Sequence, residues 1–193
     1  EIASCLVGSE MCIRDRDIPM ARIPMVEYET ASPQAKKEYD DQIAKHGRIT
    51  NMKKTLLNNI PSFKALMEWY TLRDELALFL DDFSINIFSY AISSENSCLI
   101  CSNFFKKILV DGGKDPNGSD LSEKEALLCE FGRACVDYPN EISDEMFSEL
   151  KKFFTDEQIV TLTAFAGLMI ATNLINNVLK VDLDGYLENY AKM

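Results

Sequence analysis

Apolar residues recur along most of this chain at a spacing of three and four, the repeat that lines one face of an α-helix. Ser32-Pro33 reads as an N-cap and first helical residue, Ala35 to Ala44 continue the helix, and Gly47 ends it. Residues 48–60 read as a connector. Pro61 can open a second helix, in which Phe63, Leu66, Met67, Tyr70 and Leu76 recur at helical spacing. A third runs through Phe83, Ile87, Tyr90 and Ala91, until polar Ser93 to Ser97 interrupts it. A fourth carries Cys98, Cys101, Phe104, Phe105, Ile108 and Leu109 and stops at Gly112-Gly113. Residues 111–120 form the plainest loop. Ser122 with Glu125, and Thr155 with Gln158, have the spacing of capping boxes, and Ser143 can cap a short helix through Phe147 and Leu150. Alternation of β-branched residues is too short anywhere to suggest a strand, so the expected fold class is all-α.

The last helix, Asp156 to Lys180, is apolar nearly all round between Ile159 and Ile175. A helix without a polar face is buried, in a core or in a membrane. A span needs ~20 predominantly apolar residues, and Thr161, Thr163, Thr172 and Asn173 break this run. Core burial is the expectation. A chain of this size has few helices with which to surround a central one, so part of this helix is expected to be covered by another subunit.

Composition narrows the function. The formal charge of −11, from 20 basic and 31 acidic residues, repels phosphate backbones and anionic lipid, so neither nucleic acid nor membrane is an expected partner. A single histidine, His46, removes sites built on histidine clusters, including most catalytic zinc sites. No cofactor or metal is called for. His46 lies at a helix end, where a cation would complement the dipole, and a surface role is expected for it. Trp69 and Tyr70 follow core spacing. The acidic runs fall mostly at helix starts, where negative charge is favoured.

Residues 1–20 stand apart. Cys5 to Arg16 resembles a translated sequencing-adapter read-through, and Met20 is a plausible true start, so 1–20 is expected to be a non-native leader or artefact and 21–193 a single helical domain. The leader has a poor signal-peptide pattern, which makes a reducing, cytoplasmic location the expectation for the remaining cysteines. Cys129 and Cys135 sit on an apolar pattern with Leu128, Phe131 and Val136 and read as packing residues.

Cys98 and Cys101 carry the candidate chemistry. With Asn96 or Ser97 as N-cap, Cys98 falls in the first turn and Cys101 one turn later on nearly the same face, close enough to form a disulfide. Helix N–H groups and the dipole favour a thiolate there, and the thiolate is the species that attacks a peroxide oxygen or a disulfide sulfur. The pair reads equally as two small buried hydrophobes, since free cysteine is among the most buried residues. Neither a second Cys-x-x-Cys nor a histidine pair completes a zinc site.

The text around these residues resembles the carboxymuconolactone decarboxylase superfamily in its AhpD-like (alkylhydroperoxidase) branch. Ile49-Thr50-Asn51-Met52 with Leu56-Leu57 and Pro61 is similar to the opening pattern, and Asn96-Ser97-Cys98-Leu99-Ile100-Cys101 to the NxCxxC core. Leu121 to Ala134, then Pro139, Ile142 to Glu145, Leu150 and Phe154 to Ile159, resemble the downstream helices, and Asn173, Asn176 and Leu179 the closing helix. The resemblance implies an AhpD-like helical bundle that oligomerises through its helices, as a homo-oligomer. It implies a catalytic dithiol, Cys98 and Cys101, that reduces a hydroperoxide or a disulfide and is recycled by a thioredoxin-like or lipoyl donor. Cys101 would be the peroxide-reacting thiol and Cys98 its resolving partner, whereas the helix-terminus argument favours Cys98.

The branch also places a Glu upstream of the pair and a His one turn after it as a proton relay. Those positions are Asn86 and Phe105 here, so both relay groups are missing. Such a group is worth ~10²–10⁴-fold in rate, and Phe105 dries the site, which opposes thiolate formation. Glu95 could substitute as a base or be a solvated surface charge. Two functions therefore stand: a thiol-dependent antioxidant protein, or a catalytically impaired helical oligomer with a binding or structural role. A lactone decarboxylase is a weaker third reading, because no basic cluster awaits its dicarboxylate.

Overall fold

Ser32 opens the first helix, α1 (Pro33–His46): its hydroxyl accepts from the Ala35 N–H, Pro33 occupies the first turn where no N–H is needed, and Gly47 closes the helix at φ 73°. This computed structural model describes residues 21–118 and 121–192. The proposed leader at 1–20 lies outside the described residues. The helices that follow are α2 (Asn51–Leu56), α3 (Ile60–Met67), α4 (Trp69–Leu76), α5 (Asp82–Glu95), α6 (Leu99–Asp111), α7 (Glu123–Asp137), α8 (Asp144–Phe153), α9 (Asp156–Leu179) and α10 (Glu188–Ala191), with 3-10 turns at Tyr28–Thr30 and Gly185–Leu187. There is no strand among the described residues, and the all-α expectation holds.

The local start signals worked as their chemistry requires. Ser122–Glu125 and Thr155–Gln158 are full capping boxes, and the Ser143 hydroxyl accepts from the Met146 N–H. Three expectations are corrected. The connector at 48–60 contains α2, because the Thr50 hydroxyl accepts from the Lys53 N–H and starts a turn whose Lys53, Thr55 and Leu56 are buried. The helix expected after Pro61 is two helices, broken at Glu68. Ser93 does not interrupt the third helix. It is wholly buried within α5, and the break falls at Asn96–Cys98.

Helix α5 packs against α6, α7 and α9, and α4 lies along α9. Gly132 of α7 permits the close approach to α5, since a methyl group there would meet Ile92 at 2.9 Å and the Phe88 ring at 3.0 Å. The main core joins Leu76, Phe88, Leu128, Phe131, Leu162 and Phe165 with both Cys98 and Cys101. A smaller core of Ala35, Tyr39, Leu56, Leu57 and Phe63 ties α1 to α2 and α3. By length and composition α9 could cross a bilayer, but Ile159, Leu162, Phe165, Ala166, Met169 and Asn173 all face the interior. Its opposite side leaves Val160 and Leu174 more than half exposed in the single chain.

Candidate functional site

The site begins with how α5 ends. The Cys98 N–H donates to the Ser93 carbonyl at 2.9 Å and the Ser97 N–H to the Ser94 carbonyl at 3.0 Å. This is a Schellman closure, with Ser97 in the left-handed position usually held by glycine, at φ 51°. The closure turns the chain so sharply that Cys98 serves both helices: it ends α5 and is itself the N-cap of α6. Its sulfur takes the place of a capping oxygen and accepts from the Cys101 N–H at 3.5 Å. Cys98 is thus the cap rather than a first-turn residue, and neither Asn96 nor Ser97 caps α6. Relieving the left-handed serine with Ser97→Gly should leave stability unchanged or raise it by up to ~1 kcal/mol, whereas β-branched Ser97→Val should cost ~1–3 kcal/mol. Urea unfolding midpoints check both.

The two cysteines come within 3.6 Å of one another and both are free thiols. A side chain from far along the sequence joins them. Asn176 of α9 donates from Nδ2 to Cys101 Sγ at 3.2 Å and to Cys98 Sγ at 3.7 Å. Cys98 is completely covered, while Cys101 keeps 7% of its surface exposed.

Electrostatics separates the two sulfurs. The hydrogen bond from the Cys101 thiol brings Cys98 down to about 7 against the resistance of burial, helped by the Cys101 N–H, the Asn176 amide and the Ile100 N–H. Cys101 moves up, because it holds its proton toward the Cys98 sulfur and because it is buried. One negative charge shared over two sulfurs, with the proton kept on the second, is the arrangement a dithiol nucleophile requires. Alkylation of the reduced protein should accordingly rise with pH through a midpoint near 7. Cys129 and Cys135 provide the contrast: burial pushes each up to about 11. Cys135 lines a separate apolar cavity of about 300 Å³ with Phe131, Phe147, Gly167 and Ile170.

Of the other residues weighed from the sequence, Phe105 shares the main core with both sulfurs and the rest make their polar and ring contacts elsewhere. Phe105, at the missing histidine position, is 3% exposed and stacks edge-on against Phe104. Asn86 is half-buried on α5. Glu95 turns toward α7, with Oε2 3.7 Å from Arg133 Nε, and a hydrogen bond with Asp137 raises its pKa. His46 is exposed and stacked on Tyr70 at 4.2 Å. Partial burial and the nearby Lys53 and Lys45 lower its pKa, which works against the expected cation at the C-terminus of α1, where Lys45 also lies. Trp69 packs on Phe165 and donates to Met169 Sδ. Among the described residues no group of three or more His, Cys, Asp or Glu side chains could hold a metal ion.

Sequence reasoning missed two residues. Asn176 was read only as part of a closing-helix pattern, although Thr172, Asn173 and Asn176 form a polar stripe on the buried face of an apolar helix, and that stripe was the available signal. Lys53 is 6% exposed and hydrogen-bonds Gln42 Oε1 and the Tyr70 hydroxyl. It sat unsuspected in what read as a connector.

The sequence matches no family model and no curated protein. Solved structures do match. An uncharacterized peroxidase-related protein from Ralstonia eutropha, described as an alkylhydroperoxidase AhpD core, superposes with a TM-score of 0.69 at 18% identity over 91% of this chain and 98% of its own. A second peroxidase-related protein, from Silicibacter sp., gives 0.70 at 17% identity over 86% and 91%. The debrominase Bmp8 gives 0.66 at 18% identity over 83% and 91%. These likenesses establish the architecture: the chain has the AhpD-like all-α fold.

Proposed function

We propose that this chain is a thiol-dependent antioxidant protein that reduces a hydroperoxide or a disulfide through Cys98 and Cys101. The observation that carries the reading is the pairing of the two sulfurs within 3.6 Å under one shared amide donor, with the more acidic thiol at the helix cap. Cys98 is the thiolate and Cys101 keeps the proton, which reverses the roles the resemblance implies. The peroxide enters over the exposed edge of Cys101. The Cys98 thiolate attacks the distal oxygen, forming an S–O bond as the O–O bond breaks, and the departing alkoxide takes the Cys101 proton to leave as an alcohol. The Cys101 thiolate then attacks the Cys98 sulfenic sulfur, closing the disulfide and releasing hydroxide. A thioredoxin-like or lipoyl dithiol returns the pair to the reduced state and becomes a disulfide itself. With a disulfide substrate the same two attacks pass through a mixed disulfide. Cys101 thereby supplies the proton that the Glu/His relay would have supplied.

The protein works as a cytoplasmic homo-oligomer, with the exposed side of α9 covered by a second copy. That arrangement removes Val160 and Leu174 from water. The complete cover over Cys98 and the buried Phe105 favour a second reading, an impaired oligomer retained for binding or structure. Hydroperoxide consumption with dithiothreitol as donor separates the two. Wild type should turn over, Cys98→Ser should consume nothing above background, and Cys101→Ser should consume a single equivalent of hydroperoxide when dithiothreitol is left out. Equal rates for all three would leave the impaired oligomer.

A further inference from the structure

We infer that Asn176 is the positioning residue of the dithiol, a neutral amide whose two N–H bonds hold both sulfurs and favour the reduced, singly charged pair over the disulfide. The inference rests on the reading of Cys98 and Cys101 as a reactive pair, and it adds to that pair a residue from the opposite side of the core.

The argument starts from the cost of the residue. Asn176 is 4% exposed on the inward face of α9, a helix whose other inward positions are largely apolar. A buried amide has to satisfy its oxygen as well as its nitrogen. Here Oδ1 has no hydrogen-bond partner among the described residues, and only the nitrogen side is used, toward Cys101 Sγ at 3.2 Å and Cys98 Sγ at 3.7 Å. A leucine of similar size would avoid the unpaired oxygen, so packing does not account for an asparagine at this position. The sulfurs do. A donor aimed at a sulfur favours its ionised form, and two donors on one nitrogen can serve two sulfurs at once. The amide neither gains nor loses a proton in the working range, so it holds charge without relaying protons.

Its neighbour supplies the internal control. Asn173 lies about one turn earlier on the same face, is fully buried, and leaves Nδ2 unpaired. Its Oδ1 instead accepts from the Ser93 hydroxyl at 3.4 Å, within the α5–α9 contact. Asn173 is the polar group that serves the scaffold, and Asn176 the one that serves the sulfur pair.

Closing the disulfide removes the ionised sulfur to which Asn176 donates, so the residue favours the reduced pair over the oxidised one. Losing it therefore has two consequences, a higher thiol pKa and an equilibrium against glutathione shifted toward disulfide.

The test is the pH profile of iodoacetamide alkylation on the reduced full chain. Asn176→Leu should raise the midpoint by about one unit, slowing alkylation at pH 7 roughly fivefold, and should shift the glutathione equilibrium toward the disulfide about twofold at pH 7 and about tenfold above pH 9. Asn176→Asp keeps the shape but places a negative charge beside the sulfurs, and should raise the midpoint further. Asn173→Leu should leave the midpoint where wild type has it. Equal shifts for Asn173→Leu and Asn176→Leu, or none for either Asn176 variant, would overturn the inference. Should the variants not fold, the wild-type protein still answers. The Asn176 side-chain amide resonance should titrate with the thiol midpoint and move again on oxidation, and an amide indifferent to both would also overturn it. These measurements read thiol ionisation directly. A protein that fails to consume hydroperoxide yet shows the Asn176-dependent midpoint would lose the proposed activity and keep this assignment.

Discussion

Replacing Phe165 with alanine is expected to destabilise the protein by ~3–5 kcal/mol, the range for emptying an aromatic site in a packed core. Phe165 is fully buried on α9. Its ring lies 5.5 Å from Trp69 of α4 and 5.9 Å from Phe88 of α5, and Phe88 in turn stacks on Phe131 of α7 at 6.4 Å. One side chain therefore joins three helices directly and a fourth through Phe88, and no small movement of one helix can fill the space it leaves. Against a total stability of ~5–15 kcal/mol the loss is a large share, corresponding to a fall in melting temperature of roughly 10 °C for a domain of this size. Thermal and urea unfolding of the variant measure it. A cost below ~1.5 kcal/mol would mean that α4, α5 and α9 close over the cavity independently, contrary to the packing described. The site shares the consequence, because Asn176 stands about three turns further along α9. A loosened α9 should broaden the alkylation profile of the dithiol before the protein unfolds.

What could be read from the sequence and what could not divide along the range of the forces. Ser32 with Pro33, Ser122 with Glu125, Ser143, and Thr155 with Gln158 were legible because a cap acts within four residues and needs only the local chain. The face of α9 was legible because apolar spacing survives any arrangement of neighbours. Helix α2 was missed because it is six residues long and too short to show a period, leaving only the Thr50 cap to announce it. Ser93 was misread because a serine's propensity depends on what lies opposite, and here that is Asn173. Cys98 was placed inside the first turn because a sulfur seldom acts as an N-cap. The dithiol itself stood out by spacing, but the side-chain donor from outside the pair lies 75 residues from Cys101, and no local rule connects them. Helix packing makes that contact, so the tuning of the site belongs to the tertiary structure even where its nucleophiles belong to the motif.

Lys53 turns the same kind of long-range contact into an expected pH effect. Its ammonium reaches Gln42 Oε1 of α1 at 2.6 Å and the Tyr70 hydroxyl of α4 at 2.7 Å, and sits 4.8 Å over the Tyr70 ring. His46, stacked on that ring, is the nearby titratable group on α1 and is itself lowered, partly by Lys53. The two hydrogen-bond acceptors are neutral, so burial dominates and brings the Lys53 amine from 10.5 down to about 8. The sign follows from proton counts. Below pH 8 both folded and unfolded chains hold the proton, and the folded state bears the full cost of a buried charge. Between 8 and 10.5 the unfolded chain binds more protons than the folded one, so stability rises with pH. Over that window wild type should gain roughly 3 kcal/mol relative to Lys53→Met, which fills similar space and does not titrate. The quantity to measure is the difference in unfolding free energy between the two proteins at pH 7.5, 9 and 10.5. Cysteine and tyrosine ionisation remote from Lys53 cancels in that difference. A flat difference would mean that the amine reaches water in the folded state, and that α1, α2 and α4 do not close around it. A rising difference would place a charged group at pH 7 among α1, α2 and α4, held by Gln42 and Tyr70 at a cost that apolar burial elsewhere must offset.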